Sequence, residues 1–309
     1  MKEEIRKAIK SAGASEVGFA RAGSIDDKAA LEYEKWIEGG NHGEMDYLSR
    51  HLPLRKHTDF VLSGAKTVIS CAFSYVPEKI RDESLPVIAA YAYGEDYHEV
   101  IRKRIGELLK YFTDSYGGKW RLCIDSAPMA ERYWAVKSGI GKRGINGGVI
   151  VEGCGSMCFL AEILTTLEIE PDSPCEESCM ECGKCVEACP THALKANGEL
   201  DASRCINYLT IEKKGEFTEN EKKLINEGGK EILLGCDECI KVCPHNKGLK
   251  PTKINEFLIK EEMLKVGSEE IMAMQEDDFR KIFKKNAVMR TGRKGLLRNL
   301  LSTSSLFLD

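Results

Sequence analysis

The sequence predicts an α+β protein built from three consecutive parts. Residues 1–170 alternate β-rich apolar runs with amphipathic helical patterns, which predicts an α/β layer sandwich. Residues 171–250 contain two runs of closely spaced cysteines, and residues 251–309 return to helical patterning with a basic tract. A chain of 309 residues is long enough to bury a hydrophobic core, so the cysteines are not needed as structural cross-links.

The first part begins with an amphipathic helix and continues with strands and helices in turn. Asp96 and Glu99 have the spacing of a capping box at the start of the second helix, and Pro128 and Gly139 mark the ends of the third. Apolar runs rich in β-forming residues mark the strands. The expected elements are a helix over 1–12, strands over 66–76 and 86–94, a helix over 96–112, a strand over 119–125 and a helix over 128–139.

Four cysteines and a proline fall within residues 179–190, CMECGKCVEACP. Two residues separate each of the first three cysteines, three residues precede the fourth, and the proline follows. This is the bacterial ferredoxin spacing for a cubane four-iron four-sulfur cluster. Structural zinc sites, the alternative, place two CxxC pairs on either side of a longer loop. The spacing therefore favours an iron–sulfur cluster.

A shorter run at residues 236–244, CDECIKVCP, repeats the last three cysteine positions and lacks the first. Two-cluster proteins of this type exchange the fourth cysteine of each run, so one further ligand must come from elsewhere. Cys205 lies between the runs, whereas Cys175 would crowd the first cluster, and we therefore choose Cys205. The predicted ligand sets are Cys179, Cys182, Cys185 and Cys243 for the first cluster, and Cys205, Cys236, Cys239 and Cys189 for the second. The other cysteines, expected to be small buried apolar residues, are Cys71, Cys123, Cys154, Cys158 and Cys175.

The charge of the chain limits the ways in which it can bind nucleic acid. A formal net charge of −4 argues against general nucleic-acid binding and leaves a local basic patch. Residues 280–298 carry eight Lys or Arg and no Asp or Glu. A solvated helix face is the ordinary interpretation of this tract, and contact with a phosphate backbone is the functional one.

The N-terminus has no secretion signal, and no apolar run approaches the ~18 residues of a membrane span. We expect a cytoplasmic protein, monomeric and without membrane contact, whose cysteines bind metal rather than form disulfides. Two neighbouring cubane clusters pass single electrons and seldom perform bond chemistry themselves. Residues 1–170 are therefore expected to hold the electron acceptor, because no other part is large enough.

Several long motifs occur along most of the chain in addition to both cysteine runs. They are HGEMDYL (42–48), GAKTVIS (64–70), YAYGEDYHEV (91–100), DSAPMAERYWA (125–135), FLAEILTTLEIEPD (159–172), LDASRCINYLTIEKKG (200–215) and GRKGLLRN (292–299). Together they resemble the epoxyqueuosine reductases, the cobalamin and iron–sulfur enzymes that complete the queuosine base in tRNA. The resemblance implies a nitroreductase-like α/β domain that binds cobalamin base-off, packed against a two-cluster ferredoxin-like domain.

The resemblance implies that Asp125, in the motif DSAP, is the proton donor for a two-electron deoxygenation of an epoxide on a cyclopentane ring. Without the resemblance, an aspartate before SAP is more often a helix N-cap. A carboxylic acid keeps its proton near neutral pH only where burial raises its pKa. We therefore expect a raised pKa for Asp125.

The resemblance also implies contacts with the cofactor. Arg55 and Arg132 match family arginines near the corrin, and Asn207 matches a small polar residue there; surface charge or a helix-face ion pair is the alternative for the arginines. His98 is a further cofactor-binding candidate, because DYHEVI starts like the DxHxxG motif of proteins that ligate cobalt through histidine. Ile101 occupies the glycine position of that motif, so a histidine at a helix start is the alternative.

Three features depart from the family pattern. Residues 139–146 are GIGKRGIN where GLGWIGKN is usual, and His245 replaces the tryptophan of CPWN. We also expect a short form without the C-terminal helical-repeat domain of longer members. The expected partners are tRNA with a queuosine precursor in the anticodon loop and flavodoxin or ferredoxin as electron donor. The alternatives are a reductase of this architecture that acts on another small molecule and a non-enzymatic two-cluster electron carrier.

Overall fold

The computed structural model describes residues 1–177 and 179–303. Ser178 and residues 304–309, which belong to the expected second and third parts, lie outside the described residues. No helix among the described residues is long and apolar enough to cross a membrane. The helices are α1 (Lys2–Ser11), α2 (Asp27–Glu38), α3 (Asp46–Arg50), α4 (Leu52–Lys56), α5 (Tyr97–Tyr116), α6 (Glu131–Lys137), α7 (Lys184–Glu187), α8 (Ile206–Ile211), α9 (Glu219–Asn226), α10 (Glu238–Lys241), α11 (Glu261–Lys265), α12 (Ser268–Ala273), α13 (Glu276–Ile282) and α14 (Gly292–Leu301). The strands are β1 (Glu16–Arg21), β2 (Thr67–Ser74), β3 (Val87–Ile88), β4 (Trp120–Cys123), β5 (Gly141–Arg143), β6 (Val149–Val151), β7 (Cys158–Thr165) and β8 (Ile232–Leu234).

A four-stranded sheet in the order β1-β2-β7-β4 forms the centre of the first part. Every pairing in it is antiparallel. All eight residues of β2 are buried, as its continuous apolar run requires of a central strand covered on both faces. The antiparallel sheet with its covering helices confirms the α+β class.

Helices cover the two faces of this sheet. On one face, Ile5 of α1 and Ile101 of α5 belong to the same buried cluster as Ile69 of β2. On the other face, Trp134 of α6 packs in a second cluster with Val68 and neighbouring side chains. The helix α6 is therefore fixed beside the end of β4, and residues 124–130 connect the two.

The structure corrects three expectations about local elements. Of the strand expected over 86–94, only Val87–Ile88 is extended, because this segment pairs with β8 of the cysteine-rich part and then turns. Asp96 caps α5 by accepting from the His98 N–H, while Glu99 pairs with Arg102, so no capping box forms. The third helix begins at Glu131 rather than at Pro128, because residues 124–130 are used in a turn.

The C-terminal segment packs against the first part and forms hydrogen bonds with the turn before α5. The buried Asn286 donates to the carbonyl of Ala92 at 2.7 Å. A Cβ on Gly94 would lie 2.3 Å from the carbonyl oxygen of Glu256, so the backbone approaches too closely there for any other residue. Large side chains of this segment in the first part's core are Phe257, Met263, Phe279, Phe283 and Leu296.

Candidate active site

The first predicted set of cysteines surrounds a single cavity. Cys179, Cys182, Cys185 and Cys243 all line this cavity, together with residues 144–146 and His245. The single-turn helices α7 and α10, which carry cysteines of the two runs, pack against each other and bring the runs together. The structure therefore places Cys243 with the first run although it belongs to the second.

The second predicted set lies deeper in the protein. Burial, together with a smaller contribution from the charge of Cys205, raises the pKa of the Cys236 thiol to about 12. Burial also raises the pKa of Cys239, with added contributions from the charges of Cys236, Cys205 and Cys189. Thiols that favour the protonated form as strongly as this are converted to thiolates only by a bound metal centre. The charges of Cys205 and Cys189 both contribute to the raised pKa of Cys239, which relates the members of this set to one another electrostatically.

The cysteines outside these sets behave differently from one another. Cys71, Cys123 and Cys154 are buried, as expected of small apolar residues. Cys158 and Cys175 are partly exposed, but desolvation still raises the pKa of the Cys158 thiol, so the expectation of burial is wrong only for Cys175. Cys175 lines a neighbouring groove and not the cavity of the first set.

Asp125 stands at the start of the turn between β4 and α6, with a backbone φ of 41°. Its side chain is 59% exposed. The Tyr97 hydroxyl donates to Oδ2 of Asp125 at 3.0 Å, and Nε2 of His98 lies 3.3 Å from the same oxygen. Desolvation raises the pKa of Asp125, but the hydrogen bond and charge of His98 outweigh it and hold that pKa below its usual value. The expectation of a raised pKa is therefore wrong for this arrangement.

His98 is buried between two carboxylates. Its Nδ1 lies 2.9 Å from Oδ1 of Asp96, on the side of the ring opposite Asp125. Desolvation lowers the pKa of His98, but the hydrogen bonds to Asp125 and Asp96 outweigh it and raise that pKa. Arg290 of the C-terminal segment donates to Oδ2 of Asp96 at 2.8 Å and completes the network. Near neutral pH the proton in this network therefore lies on His98 more than on Asp125.

A second pair of carboxyl groups lies behind the Asp125 turn. Glu131 accepts the backbone N–H of Asp125 at 2.6 Å. Burial, followed by the charge of Asp125, raises the pKa of Glu131 to about 8. Glu162 of β7 is completely buried, neither of its carboxyl oxygens has a hydrogen-bond partner, and burial raises its pKa well above the usual value. Burial thus favours the protonated form of both Glu131 and Glu162, whereas the contacts of Asp125 favour its carboxylate.

Two family models match segments of the chain. Residues 55–126 match the family described as epoxyqueuosine reductase QueG, DUF1730, and residues 178–246 match a 4Fe-4S double cluster binding domain. The chain is 37% identical over 300 residues to an epoxyqueuosine reductase of Cyclobacterium marinum, covering 96% of this chain and 94% of that protein. The chain belongs to the epoxyqueuosine reductase family. The prediction of two four-iron clusters rather than zinc is confirmed by the double-cluster domain.

Solved structures of epoxyqueuosine reductases superpose on nearly the whole chain. One, a crystal structure with an epoxyqueuosine-modified tRNA-Tyr stem loop, matches 97% of this chain and 80% of its own with a TM-score of 0.86 and 28% identity. Another, from Bacillus subtilis with its catalytic loop swung out of the active site, matches the same shares with a TM-score of 0.85 and 28% identity. The family fold is therefore present from the N-terminal helix to the C-terminal segment.

The three other residues that the reductase family implied lie at separate places around Asp125. Arg55 donates to the carbonyl of Met129 at 2.7 Å, and its buried Nε has no partner. Arg132 is exposed on α6. Asn207 is exposed on α8, where its Oδ1 lies 3.0 Å from the position of a Cβ on Gly235. Asn207 therefore lies beside the second cysteine run.

The basic tract is divided between internal contacts and an exposed surface. Arg298 donates to the carbonyls of Lys213 and Gly215 at 2.9 and 2.7 Å, and its guanidinium lies 4.2 Å from the centre of the Phe217 ring. Arg290 belongs to the Asp125 network. The tract is thus not a uniform basic face. Its exposed members outside that network are Arg280, Lys281, Lys284, Lys285 and Lys294.

Three residues of the Asp125 site were not expected from the sequence. Tyr97 stands in the motif DYH beside His98, which could have indicated it. Arg290 was counted only as part of the basic tract, and it is 192 residues from His98. Glu131 follows DSAP closely, but no spacing rule predicts that its side chain folds back onto the Asp125 backbone.

Proposed function

We propose that this protein reduces epoxyqueuosine in tRNA to queuosine. The observation that carries the proposal is the left-handed turn that presents an exposed Asp125 carboxylate bonded to Tyr97 and His98. Non-glycine residues at positive φ are costly and cluster at functional sites. The likeness of nearly the whole chain to a reductase bound to a modified tRNA stem loop supports the same substrate.

The proposed cluster ligands are the two sets predicted from the spacing. The shared cavity supports Cys179, Cys182, Cys185 and Cys243 as one set. The mutual electrostatic effects of the buried thiols support Cys189, Cys205, Cys236 and Cys239 as the other. When bound, the clusters supply single electrons.

Cobalamin is the proposed electron acceptor, and the residues around Asp125 suit it. The buried, unpartnered Nε of Arg55 is a hydrogen-bond donor still available to an amide of the corrin. Arg132 on α6 and Asn207 beside the second cysteine run are exposed polar side chains. When bound, cobalamin supplies the reducing metal centre for the epoxide. Asp125 and Asp96 flank both ring nitrogens of His98, so we assign His98 to the proton network rather than to the cobalt.

Asp125 is the proposed acid. Two electrons and two protons convert the epoxide into the cyclopentene and water, and Asp125 delivers a proton to the departing oxygen. His98, whose pKa is raised by its hydrogen bonds to Asp125 and Asp96, is assigned the role of returning a proton to Asp125 through their 3.3 Å contact. Tyr97 and Asp96 orient the carboxylate and the ring. General acids of this kind typically contribute about 10²- to 10⁴-fold.

The proposed partners follow from this reaction. The exposed lysines of residues 280–298 face solvent and suit the phosphate backbone of the tRNA. A flavodoxin or ferredoxin is the proposed donor because the clusters accept one electron at a time. A monomer in the cytoplasm, where tRNA is modified, is the proposed state.

The proposal is tested with the anaerobically purified chain, reconstituted with iron, sulfide and cobalamin and given a reductant. Incubated with tRNA that carries epoxyqueuosine, it should yield nucleosides lighter by one oxygen in mass spectrometry, and Asp125→Asn should not. A loaded protein that leaves this tRNA unchanged would overturn the assignment. Retained iron without corrin absorbance would instead indicate an electron carrier.

A further inference from the structure

The backbone of Asp125 is held by one side chain. The Asp125 N–H donates to Oε1 of Glu131 at 2.6 Å, across the turn formed by residues 124–130, here called the Asp125 turn. Asp125 has a φ of 41°, in the left-handed region that is unfavourable for an L-residue. Such a conformation persists only where surrounding contacts fix it. Glu131 provides a contact of this kind at the strained residue itself.

The other hydrogen bonds in the Asp125 turn do not reach the backbone of Asp125. Ser126 and Ala127 both donate to the carbonyl of Ile124, at 3.2 and 3.4 Å, and Met129 donates to Ala127 at 2.8 Å. The contacts of the Asp125 carboxylate with Tyr97 and His98 must loosen when the carboxyl group serves a substrate. The Glu131 contact joins the main chain, so it can persist during the reaction.

Glu131 stands on a rigid support. It is the first residue of α6, whose Trp134 and Ala135 are buried against the sheet. The raised pKa of Glu131, caused first by burial, indicates a neutral carboxyl group near pH 7. A neutral carboxyl group accepts the Asp125 N–H through its carbonyl oxygen, and a glutamine can do the same.

We propose that Glu131 is a positioning residue that fixes the backbone of the Asp125 turn and thereby the direction of the Asp125 carboxyl group. The inference rests on the proposed function, because it concerns the acid of that reaction. In the Bacillus subtilis relative the catalytic loop has been seen swung out of the active site. A contact that stabilises such a loop in its position inside the active site determines the fraction of molecules in which the acid faces the substrate.

The test compares Glu131→Ala, which removes the acceptor, with Glu131→Gln, which keeps it. Lys137→Gln, on the exposed side of the same helix, is the matched control. Each holoenzyme is assayed for kcat and KM on epoxyqueuosine tRNA, and hydrogen exchange of peptides covering residues 124–130 is followed by mass spectrometry. Displacement of a catalytic group by about 1 Å costs about 10²-fold. We expect Glu131→Ala to lower kcat by about that factor with KM unchanged and to speed exchange in these peptides.

Glu131→Gln and Lys137→Gln should keep both activity and exchange close to those of the wild type. In an Asp125→Asn background, Glu131→Ala should cause no further loss, because the acid that it positions is already absent. Equal losses in Glu131→Gln and Glu131→Ala, or additive losses with Asp125→Asn, would overturn the inference. An inactive wild type would reject the proposed function instead, and the exchange data would still decide whether Glu131 holds the turn.

Discussion

The iron–sulfur region and the Asp125 site differ in what compensates their ionisable side chains. In the second cysteine set, desolvation raises the pKa values of Cys236 and Cys239, and the charge of Cys205 adds to both. At the Asp125 site, Asp96 and Asp125 face His98, and Arg290 pairs with Asp96. The cysteines of the first region therefore need bound metal clusters to become stable thiolates. The charged side chains of the Asp125 site already compensate one another. Loss of iron should damage the first far more than the second.

Removal of a cluster ligand is the largest change expected. Cys239→Ala should lower the iron content of the reconstituted protein from about eight to about four per chain and reduce turnover to background, because one cubane loses a thiolate. Cys175→Ala should keep about eight irons, since Cys175 lines a different groove. Iron analysis and visible absorbance measure both. If Cys175→Ala loses a cluster and Cys205→Ala keeps both clusters, the eighth ligand is Cys175 rather than Cys205.

Replacement of the acid should leave the iron–sulfur region untouched. Asp125→Asn keeps the shape of the side chain and removes the proton, so kcat should fall by about 10²- to 10⁴-fold with iron content and bound cobalamin unchanged. Single-turnover assays with prereduced enzyme measure the effect on the chemical step. Activity near that of the wild type would remove Asp125 from the acid role.

The pH dependence of turnover separates the two regions further. Because His98 has a raised pKa in the folded protein, it should stay protonated above its ordinary value and lose its proton only at higher pH. We expect kcat to be sustained below that raised pKa and to fall as pH rises through it, when His98 can no longer recharge Asp125. His98→Gln should lower kcat and abolish this fall. A profile that rises with pH would contradict the proton network.

Substitutions of Arg298 and Lys294 test whether the basic tract is divided between internal contacts and an exposed surface. Arg298→Gln should destabilise the holoenzyme by about 1–3 kcal/mol, because the carbonyls of Lys213 and Gly215 lose their donor. Anaerobic denaturant unfolding measures this loss. Lys294→Gln, an exposed change on the same helix, should leave stability unchanged. Equal stability of the two variants would show that the Arg298 contacts contribute nothing.

The smallest effect is expected for tRNA binding. Lys294→Gln should weaken the binding of tRNAs of any sequence to the same extent. It should also reduce the slope of log affinity against log salt concentration by about one. Binding titrations at several salt concentrations give this slope. Lys137→Gln, outside the tract, is the control. An unchanged slope in Lys294→Gln would place the tRNA elsewhere on the protein.

Local sequence patterns predicted some parts of the structure well and others poorly. The continuous apolar run predicted strand β2, and the amphipathic pattern predicted helix α5, because each of these elements is specified by its own local sequence. The strand expected over 86–94 was wrong because its apolar residues serve a turn whose pairing partner, β8, is distant in the sequence. Cysteine spacing could reveal the iron–sulfur domain because cubane ligands follow a fixed local geometry.

Contiguous motifs alone indicate the double-cluster domain, the family and the candidate acid Asp125. Which side chains favour the protonated form follows only from the fold. The pKa values of Asp125, His98 and Glu131 depend on burial and on partners brought together by the fold. Arg290 reaches His98 across 192 residues, a distance that no local pattern spans. Electrostatic effects depend on separation in space, and the fold alone sets that separation.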